Sequence, residues 1–524
     1  MDSPNFLLFI TDQHRVDHLG VYGNQVVRTP NLDELAARSW IADQCFVASP
    51  VCMPNRASLM TGRMPCAHGV RSNGIPLSRR ATTFVEMLRE GGYRTGLVGK
   101  AHLQNMTGKP PIWPPSGERL SHDAWTAEPG ELDVEWGPRW VSDLHADVTV
   151  PFYGFEHVDL VIGHGDTAGG HYRQWLEREH PTVAALTGKE HALPSDYALF
   201  NCGQAWRSQV PEEFSITRWI ANRTRELIRQ WASDRRPFFV QCSFPDPHHP
   251  FNAPAPYWEM YRPEQMELSP SFYFDGPKPP HLSWLHNQRD EGRAVKHTPA
   301  PFACTEREAK EAIALNYGSI THIDAAIGSV LKELRNLGLE NNTIIVFISD
   351  HGDYVGDHQL LLKGPLHYSS IVRVPLIWCD PVIARGTRSD ALCSTIDLAP
   401  TFLERAGIER FHGMQGRSLL PAMEPRRDQN WSYDAVLIEE EAQRLMFDFP
   451  GLVRARTVRT TEWRLSLYDG VEWGELYDLA NDPLECTNLW DVASYAQRRA
   501  QLVELLARKL LMYADTSPYP SAAA

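Results

Sequence analysis

No C-x-x-C pair occurs in this chain, and its nine cysteines are scattered: Cys45, Cys52, Cys66, Cys202, Cys242, Cys304, Cys379, Cys393 and Cys486. The lack of that pair removes the commonest pattern of zinc and redox sites. An odd, dispersed set fits reduced thiols in a cytoplasmic protein. No run of about 20 apolar residues is present, which excludes a membrane-spanning helix and any membrane partner of that kind. The start, MDSPNFLLFITD, lacks a basic segment and a long apolar stretch, so no signal peptide is expected. Positive charge is also short. The net charge of -14 excludes general nucleic-acid binding, which needs a basic face. It leaves room for a local cationic pocket that takes a small anion. Internal repeats are missing too, and only the tail SPYPSAAA is of low complexity.

What is present is an ordinary globular composition, 43% apolar and 22% charged over 524 residues. That length predicts about two to four domains, or one large α/β domain with a satellite. Five short apolar runs have the character of buried parallel strands: 5–10, 95–99, 237–244, 343–349 and 374–379. Amphipathic helical patterns cover 31–40, 83–92, 212–232 and 307–338. Their alternation predicts an α/β fold with a large, mostly parallel sheet between helices. Residues 104–210, with Trp113, Trp125, Trp136 and Trp140, show little periodicity and are expected to form an insertion that walls a pocket. From about 430 the pattern is antiparallel strands followed by a closing helix. The expected organisation is a catalytic domain over 1–425 and a smaller C-terminal α+β domain over 426–524.

Ligands of open α/β sheets collect beyond the carboxyl ends of the strands. The residues at those ends here are Asp12 and Gln13, then Asp350 and His351, with Lys100 and His102 after a third strand and His248 and His249 after a fourth. Lys363 follows the second acidic segment. Carboxylates with an imidazole suit a cation. Lysines and histidines beside it suit an anion with several oxygens, such as a sulfate or phosphate ester, and can protonate its leaving group. Cys52 precedes a helical run, where the helix dipole favours an anion or a thiolate.

The stretch VCMPNRASLMTGR resembles the signature of the type I sulfatases, C-x-P-x-R followed by a small residue and T-G-R. GYRTGLVGKAHL, PFFVQCSFPDPHHPF, TIIVFISDHGDYVGDHQLLLKG and ELYDLANDPLECTNL resemble further segments of that family, so the likeness spans nearly the whole chain. The resemblance implies an alkaline-phosphatase-like fold and a formylglycine made from Cys52 by a formylglycine-generating enzyme. It implies that one hydroxyl of the hydrated aldehyde attacks sulfur. The other then releases sulfate, which a plain thiol or serine could not do. It further implies that Asp12, Asp350, His351 and residue 52 bind one divalent metal, with Gln13 at or near it. Arg56 would hold the formylglycine, Lys100 would bridge it and the substrate, and His102 would be the base. His248 and Lys363 would bind substrate oxygens and supply the leaving-group acid, and Asn73 would complete the anion pocket.

Two positions depart from the common sulfatase pattern of Asp-Asp and Asp-Asn. Asp12-Gln13 and Asp350-His351 resemble the phosphonate monoester hydrolase branch, whereas Lys100 and His102 resemble sulfatases. The lower ligand charge makes Mn²⁺ plausible beside Ca²⁺. The expected activity is hydrolysis of aryl or small alkyl sulfate monoesters. The alternative is a phosphonate monoester or phosphate diester hydrolase with promiscuous sulfatase activity. A homo-oligomer is expected as well, through C-terminal elements such as LVELLARKLLMYA.

Overall fold

The run NFLLFI is the core of strand β1 (Asn5–Thr11). Phe6, Leu8 and Ile10 enter one buried cluster, and Leu7 and Phe9 enter another on the opposite face. A strand covered on both faces has no wet side on which to place a polar residue, hence its unbroken apolar character. The computed structural model in which this is seen describes residues 3–522 except 110–122, 127, 129, 235, 384–385 and 425–430. Trp113 and the expected domain boundary at 425/426 lie outside the described residues.

Eight further strands complete the main sheet: β2 (Trp40–Ala42), β3 (Arg94–Lys100), β4 (His157–Ile162), β5 (Gly169–Gly170), β6 (Phe238–Phe244), β7 (Thr343–Ser349), β8 (Leu376–Cys379) and β9 (Thr387–Ser389). Their order is β9-β2-β8-β7-β1-β6-β3-β4-β5. The central run from β7 to β4 is parallel throughout. The run 374–379 corrects the expectation of a parallel strand, because β8 pairs antiparallel with both β7 and β2. An apolar run reports burial on two faces and carries no information on direction. The segment 104–210 differs from a plain insertion: its residues 157–162 form β4, a parallel member of the main sheet.

Helix α1 (Cys52–Thr61) packs on one face of this sheet, and α2 (Ile216–Trp231) and α3 (Glu306–Asn336) on the other. Caps set the starts of the latter two. Ser215 accepts from the Arg218 amide, and Thr305 and Glu308 form a reciprocal capping box. The shorter helical patterns appear as Pro30–Ala36 and Phe84–Glu90. Among the described residues no helix is long and apolar enough to cross a membrane.

A second, antiparallel sheet holds β10 (Val436–Glu441), β11 (Arg454–Arg459), β12 (Trp463–Tyr468) and β13 (Gly474–Asp478) in sequence order. Leu437, Val458, Leu465 and Leu476 pack on Leu502 and Leu506 of α4 (Ala496–Met512). The other face of the small sheet supplies Val436, Ile438, Ala455 and Tyr468 to the cluster that also contains α1. The closing helix thus docks on its own sheet and leaves Leu511 78% exposed at its end.

Five parallel strands deliver their carboxyl ends to one place. At β3 this needs Gly99, which has φ +109° and lies so close to β6 that an added Cβ would sit 1.9 Å from the Ser243 carbonyl oxygen. Gly99→Ala is therefore expected to cost roughly 1–3 kcal/mol in backbone strain, plus whatever the contact with β6 adds. Denaturant titration checks this; an unchanged midpoint would mean that the strand end relaxes around the methyl group.

Candidate active site

The C-x-P-x-R spacing has a local physical cause. Val51 is extended and Cys52 is the first helical residue of α1. Pro54 has no N–H, so one of the unpaired amides at the helix start is absent. The Met53 amide donates to Asn73 Oδ1 at 3.1 Å. Arg56 is four residues after Cys52 and shares its face. Gly62, with φ +65°, ends the helix in the left-handed conformation. All ten residues of α1 are buried.

Arg56 ties the two acidic strand ends together. Its Nε donates to Asp350 Oδ2 at 2.7 Å and its guanidinium reaches Asp12 Oδ2 at 3.5 Å. It also donates to the Lys100 carbonyl and to Ser243 Oγ, both at 3.0 Å. Lys100 Nζ donates to Asp12 Oδ2. On the sulfur of Cys52 converge Lys363 Nζ at 3.1 Å, His351 Nε2 at 3.1 Å and Asp12 Oδ1 at 3.7 Å. Gln13, at φ +63°, donates its amide N–H to Asp350 Oδ1 at 3.1 Å. Its Oε1 accepts from Lys363 at 2.8 Å, and its Nε2 donates to Asp353 and lies 3.2 Å from His249 Nδ1.

Burial raises the Asp12 carboxyl, but Lys100, His248, His164 and Lys363 outweigh it and hold the group well below the usual carboxylate range. Burial and Asp12 also raise the Cys52 thiol, yet Lys363, Lys100 and His351 bring it below its ordinary value. Lys363 is raised despite burial, because Cys52, Asp12 and Asp350 face it. Burial lowers His102 and His248 well below the normal histidine range, with Lys100 helping at His102 and His164 at His248. Asp12 is thus held as a carboxylate beside a charged Lys363, His102 and His248 are held neutral, and His351 is raised because Asp350 and Cys52 face it, despite burial and Lys363.

Most of the expected residues meet here. Asn73 serves the α1 amide rather than touching the sulfur. His102 is buried at the edge of the cluster at φ +54°, and among the described residues its Nδ1 has no partner. Three residues were missed. His164 follows β4, its Nε2 lies 2.7 Å from Lys100 Nζ, and its ring stacks on His248 with centroids 3.6 Å apart. Burial and Lys100 push it down to about 4. Glu135 accepts from the amides of His102, Leu103 and Gln104 at 2.6–2.9 Å and so shapes the His102 turn. Burial pushes its carboxyl up to about 7. Asp353 takes the Gln13 amide, and burial raises it to about 6. The available clue for His164 was GHG after the apolar HVDLVI; Glu135 and Asp353 had none.

Asp12, Cys52, Asp350 and His351 each offer one ligand atom, all within 4.8 Å of one another. His351 Nδ1 donates to the Gly352 carbonyl at 2.8 Å, which turns the lone pair of Nε2 inward. This donor set fits a divalent cation that accepts oxygen and imidazole. Asp12, His164 and His248 are grouped as closely, but the Lys100 ammonium already bonds to Asp12 and His164 there.

The family model described as Sulfatase matches residues 4–408. The chain belongs to the sulfatase family. A model of the C-terminal part of N-sulphoglucosamine sulphohydrolase matches residues 356–511 of this sulfatase. It is 29% identical over 515 residues to a protein named uncharacterized sulfatase YidJ, from Escherichia coli, covering 97% of this chain and 87% of that one. It is 28% identical over 520 residues to an arylsulfatase of Clostridium perfringens, covering 97% and 94%. The crystal structure of the phosphonate monoester hydrolase of Agrobacterium radiobacter superposes with a TM-score of 0.75 at 25% identity, covering 98% of this chain and 97% of that one. The protein is a sulfuric ester hydrolase of the alkaline phosphatase superfamily.

Arg56→Met leaves Asp350 and Asp12 buried with less positive charge. The expected loss in chelator is about 3–5 kcal/mol. Added Mn²⁺ or Ca²⁺ should shrink that loss, since a cation bound only by the folded chain stabilises it. Thermal unfolding with and without metal checks this; equal losses in both would mean that the two carboxylates do not share a cation.

Proposed function

We propose that the protein hydrolyses sulfate monoesters with aryl or small alkyl leaving groups, through a formylglycine made from Cys52 and with one divalent metal, Ca²⁺ or Mn²⁺. The observation that supports this most directly is the convergence of Lys363 and His351 on Cys52 Sγ, both at 3.1 Å, at the start of α1. Asp12, Asp350, His351 and residue 52 would hold the metal, with Gln13 beside them. The metal would act as a Lewis acid and lower the pKa of the attacking oxygen, and the formylglycine would supply a hydrated aldehyde as nucleophile.

The chain's own groups have distinct tasks. Arg56 neutralises both acidic strand ends and fixes the first turn of α1. Lys100, held between Asp12 and His164, presents positive charge to the non-bridging oxygens. Of the two expected leaving-group acids, Lys363 carries the proton at rest. His248, with Nδ1 donating to the His249 carbonyl, keeps Nε2 as an acceptor. His102, neutral and with an Nδ1 that has no partner among the described residues, suits the role of base. Asn73 orders the start of α1 beside the pocket. Because α1 is covered on all sides, a formylglycine-generating enzyme would have to reach Cys52 before the chain folds.

A second reading, hydrolysis of phosphonate monoesters or phosphate diesters, draws support from Gln13 and His351 and from the likeness to a phosphonate monoester hydrolase. Both substrate classes carry one negative charge, so one pocket can take both. The test uses protein coexpressed with a formylglycine-generating enzyme and supplied with Mn²⁺ or Ca²⁺. kcat/KM is measured for 4-nitrophenyl sulfate and 4-nitrophenyl phenylphosphonate, with Cys52→Ala as blank. The shared leaving group makes the ratio report on the transferred group alone. The expected result is a preference for the sulfate, loss of activity in chelator and no turnover by Cys52→Ala. A preference for the phosphonate would reverse the order of the two readings.

A further inference from the structure

The segment ELYDLANDPLECTNL contains two glutamates, Glu475 and Glu485, that lie outside the catalytic cluster and are 0% and 2% exposed. Their partner is Arg464 of β12, which is itself fully buried. Arg464 donates from Nη2 to Glu475 Oε2 at 2.7 Å and from Nε to Glu485 Oε1 at 2.6 Å. Arg459 adds a bond to Glu485 Oε1 at 3.3 Å. Buried ion groups are costly unless every member is paired, and replacing them with apolar residues is often neutral or stabilising. A stability role alone is therefore a weak explanation for a dry charge network in the small sheet.

The network's outward bonds point to another role. Directly after Lys363 the chain runs Gly364-Pro365-Leu366-His367-Tyr368-Ser369. Glu485 Oε2 accepts from the Ser369 amide at 2.6 Å and from Ser369 Oγ at 2.7 Å. His367 Nδ1 lies 2.8 Å from Thr457 Oγ1 of β11, and its Nε2 lies 3.1 Å from Glu440 Oε2 of β10. The Arg464 guanidinium stands 5.3 Å from the Tyr368 ring centroid. Tyr468 Oη, which donates to Glu475 at 2.7 Å, lies 3.2 Å from the Pro365 carbonyl oxygen. The small sheet thus grips this segment from Pro365 to Ser369, while Lys363 at its head reaches Cys52 Sγ and Gln13.

We propose that the Glu485–Arg464–Glu475 network is a positioning device for Lys363, through which the C-terminal sheet sets the placement of the ammonium on residue 52. Glu485 is the positioning residue closest to the segment. The proposal rests on Lys363 acting in hydrolysis. A charged group misplaced by about 1 Å by a distant change can cost on the order of 10²-fold in rate.

The experiment is a double-mutant cycle on 4-nitrophenyl sulfate hydrolysis, with each variant coexpressed with a formylglycine-generating enzyme. Rates are normalised to the fraction of residue 52 found modified by peptide mass analysis. Glu485→Gln, Lys363→Ala and the double variant are compared with the parent. The expected result is a loss of about 10²-fold in kcat/KM for Glu485→Gln and at least as large a loss for Lys363→Ala. The double variant should match Lys363→Ala within about 2-fold, because the network acts only through that ammonium. Ser369→Ala, which removes one hydroxyl, carries the same cycle if Glu485→Gln gives no folded protein, with a smaller loss that also vanishes in the Lys363→Ala background. Losses that multiply, or wild-type kcat/KM in Glu485→Gln, overturn the proposal and leave the reading of Lys363 intact. Wild-type activity of Lys363→Ala would sink that reading and the proposal with it.

Discussion

Everything in this molecule depends on keeping charge where there is no water. Asp12, Asp350, Arg56, Lys100 and Lys363 are all buried at the carboxyl ends of the parallel strands. A charge taken out of water costs several kcal/mol unless geometry returns it through close, hydrogen-bonded partners. The fold supplies that geometry in a simple way. Parallel strands end side by side about 4.8 Å apart, so the residue after each strand meets the residues after its neighbours. Asp12 and Asp350 lie just after adjacent strands, Lys100 ends one of the next two strands and His248 follows the other, and Arg56 closes the group from the first turn of α1. The three cations Arg56, Lys100 and Lys363 stand beside Asp12 and Asp350, with Asp353 behind Gln13. On the reading proposed above, a singly charged ester would be the anion that this cluster receives.

The covering of this cluster is asymmetric. On one side lie the dry faces of the main sheet. On the other lies the small C-terminal sheet, whose apolar face joins the same core as α1. A second dry charge network sits in that small sheet and grips the segment that follows Lys363. The two networks thus meet through one loop. On the proposal above, a unit that, among the described residues, contributes no atom to the sulfur of Cys52 would still be part of the site. A shared partner explains why the glutamates of ELYDL and DPLE belong to the same pattern in sequence: both bind Arg464.

How much of this could be read from residues alone follows from the physics of each signal. Strand ends were legible because a doubly covered strand is apolar without interruption, so the polar residue that ends it stands out: Asp12, Lys100 and Asp350 were found that way. The start of α1 was legible in part: the sequence sets Cys52 just before a helical run, and the structure makes it the first residue of that helix. The direction of β8 was not legible, since side-chain pattern is the same for parallel and antiparallel pairing. His164 was hidden for another reason. Its strand lies inside a stretch rich in Pro, Gly and Trp, and only the pairing of β4 with β3 shows that its end belongs with the others. Glu135 and Asp353 act by accepting backbone or amide protons, a task any carboxylate at the right point in space could perform, so no spacing marks them.

Gln13 shows how the mixed character of the site works. An aspartate at this position would add a third carboxylate to Asp12 and Asp350 and would draw the Lys363 ammonium into a strong ion pair. The neutral amide instead accepts from Lys363 at 2.8 Å and donates to Asp353 and toward His249. Its weaker hold leaves Lys363 directed at residue 52, where the ammonium can serve the reacting group. On the proposed reading, a neutral Gln13 in place of an aspartate would therefore change more than the charge at the metal. On that reading it would shift part of the positive field from the metal-binding carboxylates toward the substrate anion, beside Lys100 and His102. The metal-binding and anion-binding groups would then, on the proposed reading, not contradict each other: the first would give up charge and the second gain it, and together they would set how tightly a sulfate or a phosphonate is held.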